Sequence, residues 1–186
     1  MRVQRGWLFL RGWLFLRGCY LSVSLTCCLS GLLWLTGIWV SPAQAAIHVY
    51  PETETQTMYR SRLSLRDNQD LAWQTILFKR IQNGLVVDFK LRLVGFPGQV
   101  TLAHPADLVL RQGMGVTWQA SDQTQADTQL DTVVTSVGQY EMKPVMASLD
   151  RFAPMQLEVT LEGGEVRSLL VPPFVVKEWL ALKDQS

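Results

Sequence analysis

Residues 59–93 read YRSRLSLRDNQDLAWQTILFKRIQNGLVVDFKLRL, and the fold class turns on this stretch. Three runs rich in β-branched, aromatic and leucine residues are separated by two turn signals. Asp67-Asn68-Gln69-Asp70 is a polar turn, and Asn83-Gly84 is the preferred pair for a two-residue type I′ hairpin. Pairing outward from a four-residue first turn sets Phe78 between Tyr59 and Phe89, and Ile76 between Ser61 and Leu91. One face then carries Tyr59, Ser61, Leu63 and Leu65, with Ala72, Gln74, Ile76 and Phe78, and with Phe89, Leu91 and Leu93. That is the predicted core face, and side chains of the other parity point away from it.

The outward face predicted by this register is basic. It carries Arg60, Arg62 and Arg66 on the first strand, Trp73, Thr75, Leu77 and Lys79 on the second, and Asp88, Lys90 and Arg92 on the third. Lys79 faces Asp88, while the other cations have no acid opposite them. Cations around an apolar strip with a tryptophan form a field suited to an anionic membrane surface or an acidic protein. The candidate binding residues are Arg60, Arg62, Trp73, Lys90 and Arg92. The competing structural reading is a sheet face partly covered by a terminal helix, with arginine stems lying over Trp73.

Further along, Phe96-Pro97-Gly98 predicts a turn with Pro97 second and Gly98 third. Short strands are expected at 99–103, 108–111, 116–120 and 133–137, separated by a polar loop over 121–132. Residues 138–151 are ambiguous, with an irregular or short helical turn around Pro144. Residues 155–171 form a hairpin about Gly163-Gly164, in which Leu157, Val159 and Leu161 oppose Leu170, Ser168 and Val166. Pro172-Pro173 stops the last strand, and 174–183 reads as a helix with Val175, Val176, Trp179, Leu180 and Leu182 on its apolar stripe. The expected fold is all-β and mainly antiparallel, a β-sandwich or partly open barrel with a short C-terminal α-helix.

Ahead of this domain, the first 17 residues carry Arg2, Arg5, Arg11 and Arg17 and no acid, and residues 18–40 carry no charge. A basic region, an apolar region, Pro42 and then Ala43-Gln44-Ala45 have the order of an export signal, with cleavage expected after Ala45. The apolar run is also long enough to act as an uncleaved anchor. Thr26 before Cys27, with more apolar chain after it, argues against a lipoprotein signal. The expected division is a signal peptide at 1–45 and one exported β domain at 46–186, in an extracytoplasmic compartment.

The segment holds Cys19, Cys27 and Cys28, which are all three cysteines, and a six-residue repeat beginning at Arg5 and Arg11. The domain is therefore expected to have no disulfide and no thiolate chemistry. Removing the four arginines leaves 13 basic against 16 acidic groups, a net charge of about −3. A nucleic-acid binder would call for a basic excess.

Motifs for chemistry are sparse. No P-loop, dinucleotide fingerprint or Gly-x-Ser-x-Gly elbow occurs, and no cofactor is expected. His48 follows closely on the expected cut, where chains fray. His104, in His104-Pro105-Ala106-Asp107, could pair with Asp107 in a small hydrolytic site, and a loop histidine is the plainer reading. Asp122, Asp127 and Asp131 lack EF-hand spacing. The expected function is a non-enzymatic binding or assembly module. The alternatives are a hydrolase near His104 and Asp107, and a carrier of an apolar ligand in a cavity lined by Phe78, Phe89 and Trp118.

The chain also resembles a cyanobacterial family of small exported proteins of unknown function. The likeness runs through Met58-Tyr59-Arg60-Ser61, Ser64-Leu65-Arg66-Asp67, Ala72-Trp73-Gln74, Ile76-Leu77-Phe78-Lys79, Leu93-Val94-Gly95-Phe96-Pro97-Gly98, Val137-Gly138-Gln139-Tyr140 and Val171-Pro172-Pro173-Phe174-Val175-Val176. The resemblance implies a periplasmic or thylakoid-lumen setting and brings no catalytic residues.

Overall fold

The computed structural model describes residues 47–113, 115–127, 135–149 and 152–186, within the compact unit Gln44–Ser186. The expected export signal lies outside the described residues, as do residues 133–134 of the strand expected at 133–137; residues 135–136 form a turn, and the strand runs from Val137 to Glu141 instead. Two antiparallel sheets face each other as a β-sandwich, with no closed barrel. The larger sheet has the order β1-β2-β3-β4-β7, from β1 (His48–Thr53), β2 (Gln56–Arg66), β3 (Ala72–Gln82), β4 (Leu85–Val94) and β7 (Val137–Glu141). The smaller runs β6-β5-β8-β9, from β5 (Leu108–Gln112), β6 (Val116–Ala120), β8 (Met155–Thr160) and β9 (Val166–Val171). Helix α1 (Lys143–Ser148) and helix α2 (Pro173–Lys183) complete the core, with Pro173 in the first turn of α2 as expected.

The register of the first hairpin differs from the expected one by a single residue. Leu65 pairs with Trp73 and Arg66 with Ala72, because the loop is a three-residue one. Asp70 N–H bonds to the Asp67 carbonyl at 3.0 Å, closing a turn, and Asp70 then takes the left-handed conformation at φ 63°. An odd loop reverses the face of the strand that follows. The core face is therefore Tyr59, Ser61, Leu63 and Leu65 of β2 with Trp73, Thr75, Leu77 and Lys79 of β3, and Ile76 and Phe78 point outward.

The second hairpin forms on Asn83-Gly84 as predicted, with both residues at positive φ and Gln82 opposite Leu85. A bulge in β4 beyond Val86 then shifts the pairing, so that Arg80 meets Asp88 and Leu77 meets Leu91. The bulge keeps Phe89, Leu91 and Leu93 on the core side against the reversed β3. The hairpin at Gly163-Gly164 repeats the effect of an odd loop. Leu157 pairs with Leu169 and Val159 with Arg167, so Arg167, Leu169 and Val171 face inward where Val166, Ser168 and Leu170 were expected to do so.

Two elements depart from the expected outline. Residues 99–103 contribute only an isolated bridge, Leu102 to Leu161. His48, expected at a fraying end, begins β1 and lies opposite Arg60. The Phe96 turn is as expected, with Gly98 at φ 77°. The interior collects Trp73, Leu77, Leu91 and Leu93 from the larger sheet and Leu108, Leu110, Leu157, Leu169 and Val171 from the smaller. Val175, Val176, Trp179 and Leu182 of α2 join them, all at most 1 % exposed.

Most sheet edges are covered. The chain at Ser121–Gln123 hydrogen-bonds along β7, through Glu141 N–H to Ser121 O and Gln123 N–H to Gln139 O. The β2–β3 turn does the same for β9, through Asn68 N–H to Ser168 O at 3.0 Å. Edge strand β1 contains Pro51, next to a bulge.

Candidate functional site

Three places gather polar chemistry: the outer face of the larger sheet, the surroundings of His104, and a cleft lined by lysines.

On the outer face, Arg60, Phe78 and Lys90 share one row and Arg62, Ile76 and Arg92 the next. Trp73 is absent from it. The reversed register puts Trp73 in the core at 1 % exposure, where its Nε1–H donates to Asp67 Oδ2 at 2.9 Å. Phe78 occupies the centre of the outer face instead and is itself covered. The guanidinium carbons of Arg80 and Arg92 lie 5.4 and 5.7 Å from its ring centroid.

Most of the cations have partners that the expected register could not supply. Lys90 pairs with Asp88 at 3.1 Å, and Arg80 with both Glu52 and Asp88. Burial alone would push the Asp88 carboxyl up, but Lys90 and Arg80 outweigh it and hold its pKa below the ordinary value. Arg92 pairs with Asp127 at 3.2 Å and bonds Gln139 Oε1 at 2.8 Å, and burial lowers its pKa. Arg60 stacks on Tyr50 at 4.4 Å and donates to its hydroxyl. Arg62 is exposed and, among the described residues, has no ion-pair partner. Among the described residues no helix covers this face: α2 packs on the other side, where Tyr59 donates to the Ser186 carbonyl and Lys79 to those of Lys183 and Gln185.

His104 finds Asp122 rather than Asp107. Its Nδ1 lies 2.6 Å from Asp122 Oδ2 and its Nε2 3.2 Å from the Val137 carbonyl, while Asp107 accepts the Asp122 backbone N–H. Both ring nitrogens thus face acceptor oxygens of the fold, one on Asp122 and one on the Val137 backbone. Burial raises the Asp122 pKa, but hydrogen bonds from Thr124, His104 and Ala106 more than compensate and lower it. Tyr140 beside them is shifted well upward by burial and by the Asp122 and Asp107 charges. This geometry fastens a loop to β7. Among the described residues no group of three or more His, Cys, Asp or Glu side chains could hold a metal ion.

The expected carrier cavity does not form from its named residues. Phe78 faces out, Phe89 faces in, and Trp118 donates to Ser148 Oγ near the surface.

The third place was not anticipated. Lys79, expected to face Asp88 on the outside, is 5 % exposed on the inner side of β3. With Lys143, Lys183, Val86, Phe89, Met146 and Ala147 it lines an open cleft of about 350 Å³. Each ammonium is steered by backbone carbonyls: Lys79 by those of Lys183 and Gln185, Lys143 by Val87 at 3.0 Å, and Lys183 by Leu149 at 3.4 Å. Burial lowers the Lys79 pKa, against an opposing pull from Asp184. These lysines come from three elements, so no local pattern announces the cleft.

Residues 45–182 match a family model described as a protein of unknown function, DUF3122, and the chain belongs to that family. No curated protein and no solved structure matches it.

Proposed function

We propose that this chain, as a member of the DUF3122 family, is an exported, non-catalytic binding module that docks on an anionic membrane surface through the outer face of its larger sheet. The observation that carries this reading is the exposed Arg62, without an ion-pair partner among the described residues, next to Arg60 on a face that no helix of the described residues covers. Lys90 and Arg92 belong to the same face as structural cations, since each is held by a carboxylate. Leu85, Val86 and Val87, exposed at the tip of the β3–β4 hairpin, add apolar contact. They lie six residues along the strands from the Arg62 row, roughly 20 Å at about 3.4 Å per residue. Apolar insertion together with basic attraction is the usual combination for a peripheral membrane protein.

Export is supported by the basic and apolar order of residues 1–40, by Ala43-Gln44-Ala45, and by a family match that begins at residue 45. The resemblance to cyanobacterial exported proteins supports a periplasmic or lumenal membrane as the setting of this proposal. Among the described residues no helix is long and apolar enough to cross a bilayer.

Vesicle co-sedimentation tests the docking. A cation close to an anionic surface contributes about 1 kcal/mol, so Arg62→Glu, which removes one attraction and adds a repulsion, should weaken binding roughly 10- to 30-fold. Equal binding of parent and variant to phosphatidylglycerol vesicles, or equal binding of the parent to neutral ones, overturns the reading. Capture of an acidic protein by a chain that ignores anionic vesicles would assign the face to a protein instead. N-terminal sequencing of the exported protein tests cleavage after Ala45.

A further inference from the structure

The lysine cleft lies on the opposite side of β3 from the proposed docking face. We propose that it binds the head and upper chain of a single-chain anionic amphiphile, such as a long-chain carboxylate or an alkyl phosphate.

Charge is the first argument. Three ammonium groups line one cleft that, among the described residues, contains no carboxylate, and Asp184 is the acid whose charge reaches Lys79. An ammonium has three N–H donors. Lys79 uses two on carbonyls and Lys143 and Lys183 one each, so donors remain on all three for an anionic head. The carbonyls fix where the ammonium groups sit, so little side-chain freedom is left to lose on binding.

The floor is the second argument. Val86, Phe89 and Met146 are apolar, and a free inorganic anion gains nothing from them, whereas an alkyl chain does. The volume of about 350 Å³ falls at the small end of ligand clefts, about 300–1,000 Å³. It suits a head and a few methylenes better than a two-chain lipid. Val86 continues into exposed Leu85 and Val87 on the hairpin tip, which offers the rest of the tail an apolar path out.

The test titrates the full chain, held in a neutral maltoside detergent, with dodecyl phosphate, dodecanoate and inorganic phosphate, followed by calorimetry and by ³¹P resonances. Saturable binding of one dodecyl phosphate per chain is expected, with inorganic phosphate at least tenfold weaker. Lys143→Gln should weaken it about tenfold, as should Val86→Asp, which sets a carboxylate in the floor. Both positions are exposed, so a melting temperature like the parent's shows that the fold is kept, and Glu162→Gln on the distant β8–β9 turn should leave binding unchanged. Inorganic phosphate as tight as the alkyl phosphate overturns the proposal, as does no saturable binding, or binding indifferent to both cleft variants.

Discussion

Replacing Asp67 by asparagine probes the contact that sets the register of the larger sheet. The Asp67 side chain is fully buried and accepts three hydrogen bonds at 2.9 Å, from the backbone N–H of Gln69 and Leu71 and from Trp73 Nε1. Its second oxygen lies 3.8 Å from Nη1 of Arg167, itself only 8 % exposed at the side chain. In Asp67→Asn the amide oxygen can still serve the two backbone donors, but its NH₂ then meets the indole N–H and the guanidinium. One buried donor is left unsatisfied, at about 1–3 kcal/mol, and the buried Arg167 loses one of its two carboxylates, keeping Glu165 at 3.3 Å. A net cost of about 2–4 kcal/mol lowers the melting temperature of a domain this size by about 8–15 °C.

The pH dependence follows from the same contacts. Burial raises the Asp67 pKa, but Trp73, Gln69, Leu71 and Arg167 together bring it below the ordinary 3.8. A carboxylate with a depressed folded pKa stabilises above its unfolded pKa, and that contribution is lost as pH falls through the folded one. The gap between parent and variant should be full at pH 7 and close below about pH 4. Calorimetric melts of the full chain at pH 7 and pH 2.5 decide it. A variant melting within 2 °C of the parent at pH 7, or a gap as wide at pH 2.5, would refute the reasoning.

Other outcomes follow from the packing. Leu77→Ala, at a core position with no exposure, should cost about 2–5 kcal/mol, and Ile76→Ala on the outer face under about 1.5, as read by denaturant midpoints; the reverse order would restore the register expected from a four-residue turn. Gly95→Ala should destabilise by about 1–3 kcal/mol, since a Cβ there would stand 2.2 Å from Val100 Cγ2 and 3.1 Å from the Trp73 ring. Asp122→Asn should lower the melting temperature at pH 7 and show a shrinking deficit below about pH 4, because the native carboxyl is held below its ordinary pKa.

The strands of the first two hairpins, the Phe96 turn and the terminal helix were legible because each is marked locally, by Asn83-Gly84, Pro97-Gly98 or Pro172-Pro173. The facing of β3 was not. Its apolar residues fall on both parities, Trp73 and Leu77 against Ile76 and Phe78, because the strand is covered on both sides, by core on one and by arginine stems on the other. With no alternation to consult, the facing rested on loop parity, and Asp67–Leu71 accommodates an odd loop only through Asp70 at positive φ. The same facing moved Trp73 out of the candidate site and Lys79 into the cleft. Arg60 and Arg62 were placed correctly because β2 alternates. The partners of Arg80 and Arg92 come from Glu52 and Asp127, 28 and 35 residues away, beyond the reach of any hairpin register.

The covered edges bear on how such a domain survives at high concentration. An unpaired strand edge is a template on which a neighbour can add a strand and begin a fibril. Here β7 and β9 are already taken by the chain's own turns, and β1 presents Pro51 beside a bulge, so the larger sheet offers poor templates at both ends. Among the described residues, only Val116–Ala120 of β6 remains an outer edge with neither device. Self-association that does occur should therefore start there, and a proline at Thr117 or Gln119, both exposed, is the substitution with which to look for its suppression.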